Sequence, residues 1–189
     1  MKNGLMIFAR WLTMLTLGVW LGGILFLGAV SAPAIFQFLR AQNAEPLAPQ
    51  LFGVILARFS VVALVCGVLA LCAWLIDGLA ARPAGRGQIL WRGQGGCIFF
   101  MLAVALYLQF GALPELLHNQ MAVIKESIET GIALSAHGTA GKSAMRLRYD
   151  VLHQNYSSLT MVIFWLGTAS LAALTWRVSL LEKMARVTE

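Results

Sequence analysis

The histidines His118, His137 and His153 are the side chains in this sequence best suited to acid–base or metal chemistry near neutral pH. His118 falls shortly after the third of four long apolar runs, and His153 falls shortly before the fourth. If those runs are antiparallel helices, the two rings lie at similar heights, with Glu115, Asp150 and Tyr156 close by. A two-histidine arrangement of that kind suits copper or another transition metal. The competing reading is capping, or hydrogen bonding between two amphipathic helices, and the residue types favour it. His137 sits in a run of small residues, Ser135 to Gly141, and reads as solvated.

Other chemistry is sparse. Thioethers also suit Cu(I), but Met101, Met121, Met145 and Met161 are far apart and fit apolar stripes, so they read as core. Cys66, Cys72 and Cys97 all fall inside apolar runs. They read as small packing residues, not as a disulfide framework or a zinc site. No nucleophile–base pair, phosphate loop or dinucleotide fingerprint is visible, and Gly93-Gln94-Gly95-Gly96 opens an apolar run, not a strand–turn–helix unit. The sequence therefore predicts no enzyme and no cofactor, with copper at His118 and His153 as the one metal option.

These residues must be held by elements suited to lipid. Hydrophobic residues make up 59% of the 189 residues and charged residues 12%, against about 25% charged in a soluble domain. The expected spans are about 5–30, 55–79, 89–113 and 158–181, each long enough to cross a hydrocarbon core. The fold class is all-α: an integral membrane four-helix bundle in a single domain over 1–189. The first run is too long for a signal-peptide core and reads as an uncleaved anchor. Every charge in the runs, among them Arg10, Arg58, Asp77, Arg92 and Arg177, lies near an end. From there a long side chain can reach the interface. On this reading the membrane interior is chemically silent, and a transporter ranks last.

The segments 31–54 and 114–157 are expected outside. The first carries Pro33, Pro46 and Pro49, with Gln42 to Glu45 as the turn. In the second, Leu117, Met121, Ile124 and Ile128 recur three or four residues apart, as do Met145, Tyr149, Leu152 and Tyr156. Helices three and four are thus expected to continue as amphipathic segments on the outer face. The short link between helices two and three holds Arg82 and Arg86 without an acid. The positive-inside rule then sets both termini in the cytoplasm of a multi-pass protein of the bacterial inner (plasma) membrane. The net charge of +6 fits this topology. It does not suggest nucleic acid, because the basic residues form no stripe and no aromatic platform accompanies them.

Helices in lipid associate through close packing at small residues. Gly18 and Gly22 form a GxxxG pair, and Gly67 and Gly167 offer similar close approach on helices two and four. They are expected to pack the helices or to face a partner. Trp11, Trp74, Trp91 and Trp176 read as an interfacial belt, with Trp20 and Trp165 deeper. The partners expected are the lipid bilayer and other membrane-protein subunits. The chain then reads as an accessory or structural subunit of a larger complex, with copper handling or resistance as the alternative.

Trp20-Leu21-Gly22-Gly23 with Ala32 to Phe36, Tyr107 to Leu116, and Leu152 to Ser157 together resemble a bacterial four-helix membrane family of unknown function. That family is related to eukaryotic transmembrane protein 205. The resemblance implies a membrane-embedded protein without an established enzymatic activity, whose eukaryotic relative is linked with resistance to platinum drugs. Copper-resistance D-type proteins and the membrane protoporphyrinogen oxidase look distantly similar in layout. The oxidase type relies on histidine and lysine in its membrane helices. This chain has neither in the expected spans, so that activity does not carry over.

Overall fold

The structure is a computed structural model that describes residues 2–42, 44, 47–81, 85–130 and 144–187. His137, Lys142, Arg82, Pro46 and, in the turn at 42–45, Asn43 and Glu45 lie outside the described residues. Among the described residues the chain is helical and has no strand. Six α-helices follow in order: α1 (Lys2–Phe26), α2 (Ala32–Ala41), α3 (Ala48–Ala81), α4 (Gly85–Tyr107), α5 (Leu113–Thr130) and α6 (Ala144–Val187). Two wider π-turns, Leu27–Ser31 and Leu108–Ala112, join α1 to α2 and α4 to α5. The helices long and apolar enough to cross a membrane are thus four: Gly4–Ala41, Ala48–Ala81, Gly87–Met121 and Leu147–Leu180. The all-α architecture of four apolar helices is the one the composition called for.

The first helix does not stop where the sequence suggested. The first apolar run ends at Val30 and Pro33 follows it, yet the helix runs on to Ala41. A proline lacks the amide proton and its ring clashes with the carbonyl four residues back. The chain widens by one residue ahead of it, so that the Ala32 amide bonds the Leu27 carbonyl. Pro33 then falls in the first turn of α2, where a missing donor costs little. Pro114 repeats the device: the Leu113 amide bonds the Leu108 carbonyl, and Pro114 sits one residue on. The second helix likewise begins at Ala48, inside the segment 31–54 that was expected to be loop. The reading of helices three and four as continuing beyond their apolar runs agrees with α5 and with the 44-residue α6.

Two compact units make up the chain. One comprises Met1–Gly23, Val62–Ala105 and Val162–Glu189. Its core holds Leu17, Trp20, Ala70, Ala73, Ile98, Met101, Ile163 and Leu174. The other comprises Ile24–Val61 and Leu106–Met161, with Leu27, Ala48, Leu108, Leu113 and Leu116 buried. In the second unit Arg148 of α6 donates to the Glu115 carboxylate of α5 at 2.5 Å. Ser60 of α3 bonds Gln109 within the second π-turn.

Candidate functional site

The first unit is built from four helix faces. On α1 the buried positions are Ala9, Thr13, Thr16, Leu17, Trp20 and Leu21. On α3 they include Ala63, Cys66, Ala70, Ala73 and Asp77, on α4 Gln94, Ile98 and Met101, and on α6 Ile163, Ser170, Leu174 and Arg177. Each set recurs at three, four or seven residues, which places it on one side of its helix. Small side chains on α3 let its neighbours close in. At Gly67 an added Cβ would stand 2.9 Å from both the Trp20 ring and Leu102. At Gly167 it would stand 2.7 Å from Leu21 and 2.9 Å from Met101.

A second contact locks α3 to α4. The Trp74 and Trp91 rings stack with centroids 4.3 Å apart. Each indole N–H donates to the other residue's backbone carbonyl, at 2.8 and 3.3 Å. Gly95 lies under the Trp74 ring and Gly78 under Trp91, and a Cβ at either would overlap the indole. These two tryptophans were expected in an interfacial belt; their pyrrole nitrogens are committed between helices instead. Trp11, Trp165 and Trp176 are exposed and Trp20 is buried, so Trp165 departs from the deeper packing role expected for it.

One helical turn beyond Trp74, Asp77 lies 1% exposed between two arginines. Arg10 Nε of α1 donates to Asp77 Oδ1 at 2.8 Å. Arg177 Nη2 of α6, on a residue 3% exposed, donates to Oδ2. One carboxylate thus ties three helices together and, among the described residues, leaves one positive charge over. The sequence reading of these charges as reaching outward to the interface is corrected here: all three turn inward. The reason is rotational. Asp77 shares its face with Ala70 and Ala73, Arg177 with Ser170 and Leu174, and Arg10 with Thr13 and Leu17, so the charge on each helix sits on the packing side.

Among the described residues, several buried polar atoms in this unit lack a hydrogen-bond partner: Nε and Nη1 of Arg177, Oε1 of Gln94 and Oγ of Ser170. Buried polar groups are ordinarily satisfied, because an orphan costs about 1–3 kcal/mol and more when charged. The threonines of α1 do not supply the missing partners. Thr13 bonds the Ala9 carbonyl and Thr16 the Leu12 carbonyl, each within its own helix. An ionisable group buried in a membrane helix marks a functional site by default. This cluster presents spare cationic donors in a low-dielectric setting, which is the chemistry of anion recognition.

The residues singled out from the sequence fall elsewhere. Gly67 and Gly167 lie in helix contacts, whereas Gly18 and Gly22 have nothing within 4 Å of a Cβ. His118 and His153 are both on exposed positions, and His153 stacks on Tyr149 at 5.9 Å within α6. Among the described residues no group of three His, Cys, Asp or Glu is placed to hold a metal. On α5, Leu113, Leu116, Asn119 and Gln120 are buried, whereas of the expected stripe Leu117 is half-buried and Met121 exposed, and the side chains of Ile124 and Ile128 lie outside the described residues. Met101 is core as expected, while Met161 is exposed. All three cysteines are free.

The sequence profile of a domain of unknown function, DUF4149, matches residues 15–123. No curated protein and no solved structure matches the chain. The matched stretch takes in Asp77 and Gln94 and leaves Arg10 and Arg177 outside it.

Proposed function

We propose that this chain, which belongs to the DUF4149 family, is a non-enzymatic integral membrane protein that binds an anionic ligand at Arg10, Asp77 and Arg177. The observation behind this reading is the surplus buried charge. Two arginines share one carboxylate, and Nε and Nη1 of Arg177 have no partner among the described residues. Burying an uncompensated cation costs several kcal/mol, whereas a negative group at those donors offsets the cost and forms charge-assisted hydrogen bonds. Metal handling through His118 and His153 draws no comparable support, since both residues are exposed. The same reading places the chain across the inner membrane with both termini in the cytoplasm.

Linkage gives the test. A ligand that binds only the folded state raises the unfolding midpoint with concentration. Purified protein in detergent is titrated with phosphate against chloride at matched ionic strength. The expected result is a saturable rise in wild type that disappears in Arg177→Gln. Superimposable curves for the two salts in wild type, together with no binding of phosphatidic acid in nanodiscs, would remove the reading.

A second reading, an accessory subunit of a larger membrane complex, draws on α1. Leu15, Gly18, Gly22 and Leu25 are exposed at spacings of three or four, and the two glycines face open space. Such a surface suits close approach by another membrane helix. Gentle extraction from native membranes followed by mass measurement tests it, and a monodisperse single chain counts against it.

A further inference from the structure

The unpartnered atoms of the first unit are not all donors, and that mixture narrows the ligand. Helix register places them on a ladder. Trp20 meets Gly67 while Arg10 meets Asp77, so α1 and α3 are antiparallel. Trp74 meets Gly95 and Leu102 meets Gly67, so α3 and α4 are antiparallel. Leu21 meets Gly167 while Arg10 and Arg177 meet at Asp77, so α1 opposes α6, and α4, which runs parallel to α1, does too. Met101 marks the level of Gly167. With a rise of about 1.5 Å per residue, Ser170 stands about 4–5 Å from that level, Gln94 about 10 Å and Arg177 about 15 Å, all in the same direction. Gln94 therefore lies between Ser170 and Arg177 along the bundle, roughly 5 Å from each in height.

The chemistry of each rung is fixed. Arg177 offers N–H donors and no acceptor, Gln94 Oε1 accepts, and the Ser170 hydroxyl does both. A ligand that satisfies them together carries negative charge and acceptor oxygens towards Arg177 and at least one O–H towards Gln94. We infer that the anion of this site is a proton-bearing phosphate, either hydrogen phosphate or the singly protonated form of a phosphate monoester such as the phosphatidic acid headgroup. This rests on the anion-binding reading above and specifies its ligand. Sulfate and phosphate diesters share the charge and the acceptors but have no O–H on the oxyanion near neutral pH. A buried acceptor left without its donor is the situation in which analogue rejection is strong.

The test uses full-length protein. In detergent, inorganic phosphate and sulfate are compared by the shift in unfolding midpoint and by calorimetry. In nanodiscs, phosphatidic acid is compared with phosphatidylmethanol, the same lipid with its phosphate esterified, and bound lipid is counted by native mass spectrometry. Phosphate is expected to bind about tenfold or more tightly than sulfate if the ligand is free. If it is a headgroup, phosphatidic acid is expected to exceed phosphatidylmethanol by a similar factor. In Gln94→Met the preference collapses while sulfate binding persists. Ser170→Ala, a smaller change, weakens the preference if Gln94→Met fails to fold. Equal binding of phosphate and sulfate, together with equal binding of the two lipids, overturns the proton-bearing ligand and leaves the anion site standing. Absence of any anion binding overturns both.

Discussion

At the scale of single residues, the charge cluster makes an ordering that can be measured. Asp77→Asn leaves two buried arginines without a counter-charge, and removal of one partner from a buried ion pair costs about 3–5 kcal/mol. Arg177→Gln removes the surplus charge and leaves Arg10 and Asp77 as a neutral pair at 2.8 Å. In buffer free of oxyanions it is expected to cost less than Asp77→Asn, by about 1–2 kcal/mol. Thermal unfolding in detergent measures both, and a reversed order would remove the surplus-charge account. The cluster was half legible in the sequence. Its three members stand out as charges near the ends of apolar runs, and a charged side chain there has two ways to be solvated: outward to water or inward to a partner. The signal that decides between them is the company each keeps at helical spacing. Ala70 and Ala73 precede Asp77, and Ser170 precedes Arg177, so small and polar residues already mark the inward face. The pairing across helices carries no such local trace, because Arg10 and Arg177 are far from Asp77 in the chain.

At the scale of elements, glycines sort into two kinds that look alike in sequence. Gly95 lies against the Trp74 indole with no room for a Cβ, while Gly18 faces open space. Gly95→Ala displaces a ring whose N–H is bonded to the Trp91 carbonyl. It is expected to cost about 1–3 kcal/mol as an overpacking substitution. Gly18→Ala should stay within about 0.5 kcal/mol in the isolated chain, as exposed substitutions do. A comparable loss at both positions would count against the packing described. If Gly18 meets a partner helix in native membranes, Gly18→Leu will reduce recovery of that partner with no effect on the purified chain. Helix extents show the same limit of local reading. Periodicity carried α5 and α6 beyond the apolar runs correctly, because amphipathic stripes persist there. The first apolar run ends at Val30, yet the helix continues past it to Ala41. The π-turn that absorbs Pro33 has no sequence marker of its own, and only its recurrence before Pro114 shows it to be systematic.

At the scale of the whole molecule, orientation decides which compartment the charge cluster is nearest. Asp77 lies four residues before the end of α3, and Arg10 lies early in α1. Arg177 lies near the end of the fourth apolar span, Leu147–Leu180. All three therefore belong to the ends that flank the N-terminus, the link at 82–84 and the C-terminal part of α6. Arg82 in that link and Arg86 in the first turn of α4, with Lys183 and Arg186 after the fourth span, give this side its basic residues. A Lys/Arg excess in short loops selects the cytoplasm, since translocating them opposes the membrane potential. Both termini are thus expected inside, and an anion would reach the cluster from the cytoplasm or from the inner leaflet. Single cysteines placed at Gly4 and at position 84, in a background lacking Cys66, Cys72 and Cys97, are expected to resist a membrane-impermeant maleimide in intact cells. Cysteine at Asp150 is expected to react. Reversal of that pattern would move the cluster to the opposite face and make its anion an external one. Arg82→Glu with Arg86→Glu tests the cause: if these two arginines set the topology, the substituted chain shows mixed labelling at both sites.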